Sequence, residues 1–161
     1  MDLSAIDGLG ASTLGVLMSE VGTGSQLRAA FPSAHAFASW LGLCPDNRVS
    51  GGKVLRAKTR KVQSRLAGAL RLAAQALRNS HSRLGDYSRR LKGRLGKAEG
   101  ITATARKLAR IIYGMIASRQ PYDENEAFKI TPATHTRRVR HLHKQAETLG
   151  CQLVPITPLA I

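Results

Sequence analysis

Thr102-Ala103-Thr104-Ala105-Arg106-Lys107-Leu108-Ala109-Arg110-Ile111-Ile112-Tyr113-Gly114-Met115-Ile116-Ala117-Ser118 is the stretch that decides the fold. Ala105, Leu108, Ile112 and Ile116 recur at steps of three and four, which stacks them on one face of an α-helix. Arg106, Lys107 and Arg110 fall on the opposite side, and Pro121 closes the segment. Upstream, Val62, Leu66, Ala69, Ala73 and Leu77 repeat the same stripe, with Lys58, Lys61 and Arg65 beside it. A second helix is therefore expected from about Lys58. Residues 80–98 stay basic through Arg89, Arg90, Lys92, Arg94 and Lys97, and their glycines predict a helix broken near Gly93 to Gly100. Downstream, residues 121–132 read as a linker holding Asp123, Glu124 and Glu126. A last helix, Thr134 to Leu149, carries His135, Val139, Leu142, Ala146 and Leu149 at heptad-like spacing, is coated by Arg137, Arg138, Arg140 and Lys144, and stops at Gly150.

The first third of the chain is shorter in rhythm. Ser33 can cap a short helix, Ala34 to Leu41, bearing Phe37, Trp40 and Leu41, which Gly42 and Pro45 terminate. Residues 45–57 hold Pro, Asp, Asn, Ser and two Gly and predict a loop or short hairpin. Near the start, Gly8-Leu9-Gly10 precedes Ser12 or Thr13, either of which can open a helix with Leu14, Leu17 and Met18 on one face. That is the pattern of a helix-hairpin-helix turn, in which Gly8 and Gly10 bring backbone N–H groups close to a phosphate. The same residues also suit a plain turn ahead of a core helix. The expected fold is mainly α: a helix-hairpin-helix start, a short loop or hairpin around Ser50, then a basic helical bundle. Residues 1–122 form the expected main domain, with 1–22 its helix-hairpin-helix-like part, and residues 123–161 a linker and basic helix.

Charge narrows the function. Among 161 residues, 25 are Lys or Arg and 10 are Asp or Glu, a formal charge of +15. Between Lys53 and Arg110 stand 17 cations against only Asp86 and Glu99, far from the mixed signs of an ordinary surface. Such a chain repels itself and calls for a polyanion, above all nucleic acid, though an acidic membrane surface or a ribosome also fits. Low aromatic content, 4%, gives little base-stacking capacity and argues against sequence-specific single-strand recognition. Two distant cysteines, Cys44 and Cys151, make no disulfide framework, and no apolar run reaches membrane-span length. The expectation is a cytoplasmic protein with no membrane partner.

One local pattern suits chemistry. In Arg48-Val49-Ser50-Gly51-Gly52-Lys53, two glycines clear space beside a serine hydroxyl, and two cations flank it to meet phosphate charge. Ser50 is thus the candidate nucleophile, with a turn that merely contains a serine as the other reading. Gly8, Gly10, Arg48, Lys53, Arg56, Lys58, Lys61 and Arg65 are the candidate nucleic-acid contacts. The Ser-Gly-Gly-Lys run is not a P-loop, because the first Gly is absent and Val54 stands where a Ser or Thr would hold magnesium. His135, His141 and His143 lack a zinc spacing and read as surface or DNA-facing residues. The ten scattered carboxylates do not suit a two-metal site, so no metal site is expected in this chain.

Ile6-Asp7-Gly8-Leu9-Gly10, Ser19-Glu20-Val21-Gly22, Phe31-Pro32-Ser33-Ala34, Trp40-Leu41-Gly42-Leu43-Cys44-Pro45, Ser50-Gly51-Gly52-Lys53 and Ala105-Arg106-Lys107-Leu108 follow one another in order. The series resembles the C-terminal transposase domain of the IS110/IS116/IS902 insertion-sequence family over about residues 1–122. The resemblance implies a DNA recombinase guided by a structured RNA, working on double-stranded DNA as a homo-oligomer. It implies that Ser50 is the serine that links covalently to DNA. It also implies an acidic RuvC-like domain that brings Mg2+; this chain begins at the helix-hairpin-helix segment, so that domain is expected to be missing here. A non-catalytic helix-hairpin-helix DNA-binding module, a truncated relic of such a transposase and an RNA-binding protein of ribosomal type are the competing readings.

Overall fold

A computed structural model of the chain describes residues 2–22, 24–129 and 132–154; the side chains of residues 48, 49, 54, 56, 57, 133, 134 and 138 lie outside that description. The chain divides into two compact units, Met1–Glu124 and Asn125–Ile161. The first unit opens with two tight turns, Ile6 N–H to Leu3 O and Leu9 N–H to Ile6 O, and then α1 (Ala11–Val21). α2 (Gly24–Ala30) and α3 (Ala34–Trp40) follow, then the strands β1 (Pro45–Ser50) and β2 (Lys53–Thr59). α4 (Arg65–Ala76), a 3₁₀ turn (Leu77–Asn79), α5 (Arg83–Leu95) and α6 (Lys97–Ser118) complete the body. Short α7 (Glu124–Ala127) precedes the helix of the second unit, α8 (Pro132–Thr148). The fold is mainly α, as the periodicity indicates.

α6 is the central helix and packs against α3, α4 and α5. Ala105, Leu108 and Ile112 are buried along it, as their spacing requires. Because neighbours cover several sides of α6, Arg106 and Lys107 are half-buried instead of lying on an open face. Burial, and then the nearby Arg110 charge, pushes the Lys107 ammonium below its ordinary pKa. Phe31, Phe37, Trp40 and Tyr113 cluster where α3 meets α6, and the Tyr113 hydroxyl donates to Phe31 O at 2.7 Å. α1 and α4 run antiparallel. Gly8, just before α1, lies against Ala73 and Leu77 at the end of α4, while Glu20 near the end of α1 bonds Ser64 and Arg65 at its start.

Several boundaries differ from the periodic reading. Lys58 lies in β2 and Val62 in the irregular stretch that follows it; the helix begins only at Arg65, because Ser64 caps it by accepting from Ala67 N–H. Leu66, Leu70, Ala73, Ala74 and Leu77 form its buried stripe. The break expected near Gly93 to Gly100 falls at Gly96, φ 91°, so α6 starts five residues before Thr102. α2 has no counterpart in the sequence reading, although its Leu27 is fully buried. A helix ahead of the Gly8–Gly10 turn is not seen among the described residues; α1 follows the turn, and residues 2–7 are turns.

Candidate nucleic-acid interface and serine arm

Ser50 is the last residue of β1 and Lys53 the first of β2, and the two are paired across a two-residue turn. Gly51 and Gly52 both have positive φ, 55° and 75°, the condition for the type I′ turn that matches strand twist. Nothing lies within 4 Å of where a side chain would stand on either glycine. Ser50, Gly51, Gly52 and Lys53 are all exposed. The hydroxyl therefore sits at the tip of a two-stranded arm.

The arm is asymmetric. Arg48 pairs with Arg56 and Val49 with Val54, which leaves Leu55 as the extra residue of a β-bulge. Leu55 is 70% exposed. The strands pack chiefly on each other, and the arm is held at its base. There the Arg60 guanidinium donates to Ser39 O at 3.0 Å and Ser39 Oγ at 3.2 Å. Gly42, at φ 65°, lets the end of α3 lie against Val62, with buried Leu41 and Leu43 on either side.

Of the candidate contacts, Lys53, Lys58, Lys61 and Arg65 are exposed along the arm and its base. Arg65 Nε also donates to Glu20 at 3.3 Å. Arg48 and Arg56 enter through backbone pairing; their side chains lie outside the described ones. Gly8 and Gly10 are not part of this group. They sit at the opposite end of α4, where Asp7 accepts a 2.6 Å hydrogen bond from Ser80 Oγ. Arg78, Arg89, Lys92 and Lys97 gather at that same end; the sequence marks Arg89, Lys92 and Lys97 as one basic stretch but does not join Arg78 to them. Burial first, and then the charges of Arg78, Lys97 and Arg89, lower the Lys92 pKa. Among the described residues, no three His, Cys, Asp or Glu side chains come together as a metal site. No helix among them is long and apolar enough to cross a membrane.

The first unit is thus a basic helical body that carries a serine at the tip of a two-stranded arm. A family model described as Transposase IS116/IS110/IS902 family matches residues 2–89, more than half of the chain and all of the arm. The chain belongs to that family, and its role is tied to transposition and to DNA. Comparison with curated proteins and with solved structures gives no match for this chain.

Proposed function

We propose that this chain is the DNA-handling portion of an insertion-sequence transposase, and that Ser50 attacks a DNA phosphodiester. One observation carries the reading. Among the six motifs that mark the family resemblance, Ser50-Gly51-Gly52-Lys53 is the one with every residue exposed and no part in the core. The other five each place a residue in the core or in a hydrogen bond, such as Ile6, Glu20, Ser33, Leu43 and Leu108. Packing and side-chain bonds account for those five; turn geometry accounts for Gly51 and Gly52 but not for Ser50 and Lys53.

In the proposed step, Ser50 Oγ bonds to phosphorus and the bond from phosphorus to one deoxyribose oxygen breaks. The serine proton ends on that leaving oxygen, so the link is a transesterification that needs no outside energy source. Lys53 meets phosphate charge at the tip, while Arg48, Arg56, Lys58, Lys61 and Arg65 hold backbone phosphates. An unaided hydroxyl is a poor nucleophile at neutral pH. The described residues do not build a metal site around Ser50, so Mg2+ would be held by the carboxylates of a RuvC-like domain. A structured guide RNA and further copies of the transposase are part of this reading. A non-catalytic binding module is the alternative, favoured by the lack of a metal-ligand group among the described residues.

The test combines this chain with a RuvC-like domain from a relative, matched guide RNA, Mg2+ and end-labelled duplex. A denaturing gel is expected to show protein-linked DNA. Ser50→Ala is expected to abolish that species and leave duplex binding nearly unchanged, and Lys53→Ala to lower its yield. A linked species with Ser50→Ala places the nucleophile elsewhere; none with the wild-type chain favours the binding module.

A further inference from the structure

The cations at the end of α4 remote from the arm are brought together by the fold. Arg78 lies on the 3₁₀ turn, Arg89 and Lys92 on α5, and Lys97 is the first residue of α6. Arg89 Nη1 donates to Arg78 O at 3.1 Å and Ser80 O at 2.6 Å, which fixes the turn against α5. Lys92 Nζ reaches Ala74 O, in the last turn of α4, at 3.5 Å. At Gly100 a side chain would stand 2.7 Å from the Lys92 Cα, so the two helices touch backbone to backbone and carry Lys97 into the group. Arg89 and Lys92 are three residues apart and share one side of α5.

Of the nearby carboxylates, Asp86 bonds the Arg89 guanidinium and Asp7 accepts from Ser80 Oγ, while Glu99 stands exposed in the first turn of α6 beside Lys97. Arg78 and Lys97 are exposed. Like charges placed this close oppose folding; the Lys92 pKa is lowered first by burial and only then by the charges of Arg78, Lys97 and Arg89. A line of phosphates relieves that repulsion.

We propose that Arg78 and Lys97, with Lys92 between them and Arg89 fixing the turn that carries Arg78, form a second station for the phosphodiester backbone, separate from the Ser50 arm. α4 separates the two stations. Its 12 residues span about 18 Å at ~1.5 Å each. At roughly 3.4 Å per base pair, that is about five base pairs of duplex. The Gly8–Gly10 turn lies at the same end of α4 as this station. The proposal rests on the reading that the chain handles nucleic acid and is independent of whether Ser50 is a nucleophile.

The test measures binding of the full chain to a duplex DNA and to an RNA duplex of the same sequence across a salt series. The double variant Arg78→Gln, Lys97→Gln is expected to lower affinity roughly tenfold or more. Its slope of log K against log salt is expected to be shallower by about two. The swap Arg78→Lys with Lys97→Arg keeps both charges and is expected to restore the slope. Circular dichroism and thermal melting check that both variants fold. A loss seen with DNA or with RNA identifies which backbone the station holds. An unchanged slope on both duplexes overturns the station, as does a swap variant that loses slope too. A wild-type chain with no salt dependence on either duplex overturns the nucleic-acid reading together with it.

Discussion

The two glycines of the first motif do different work. Gly8 has φ 86°, and a side chain there would meet Ala73 O at 2.8 Å. Both the backbone angle and the packing on α4 demand glycine. Gly10 is the N-cap of α1, has φ −87°, and faces open space. Gly8→Ala is expected to destabilise the protein by on the order of 2 kcal/mol, seen as a lowered melting temperature. Gly10→Val is expected to leave the helical signal intact and to weaken duplex binding if the N–H groups of α1 approach phosphate. Unchanged binding would make that turn structural only. The sequence identified both glycines as special and assigned them one shared role. The difference between them depends on Ala73 and Leu77, more than sixty residues away, and no local pattern reports such a contact. The same holds for the Asp7–Ser80 bond. Ser50 was legible because glycine pairs and flanking cations are local signals, whereas its position at an arm tip depended on strand pairing.

Among the elements, the arm carries the proposed nucleophile. A two-stranded hairpin is marginal alone in water, so its anchorage at Arg60, Ser39 and Gly42 matters. The next anchor is the start of α4. Glu20 Oε1 accepts from Arg65 N–H at 3.0 Å, and Glu20 Oε2 accepts from Ser64 Oγ at 3.2 Å. A carboxylate at a helix start satisfies orphan donors and meets the positive end of the helix dipole. Glu20→Ala is expected to cost about 1–2 kcal/mol in thermal melting, and Glu20→Gln less, because the amide keeps an acceptor. Equal melting temperatures for all three proteins would remove Glu20 from this role. Helices with long stripes, α4 and α6, were legible from spacing. Where they start was not: Val62 fits the stripe of α4 but lies against Gly42, and the first turn of α6 is set by close approach to α5. α2, with seven residues opening on Gly24, is too short to show a period.

Over the whole molecule the deciding quantity is charge. The excess of cations, +15 net, is shared by the arm, the base of α4, the station at its far end and α8 of the second unit. Family membership makes DNA the polyanion proposed to meet that charge. Composition made the sign and the partner class legible, but the division into two stations required the way the 3₁₀ turn, α5 and α6 meet at the far end of α4. In the proposed reading, the cations of the first unit bind a phosphate backbone at many points. The most direct test of that reading is the affinity of the wild-type chain for a random-sequence DNA duplex between about 50 and 200 mM salt. With roughly six or more phosphates held, affinity is expected to fall by about a thousandfold or more over that range, with log K linear in log salt. A flat profile would contradict the account.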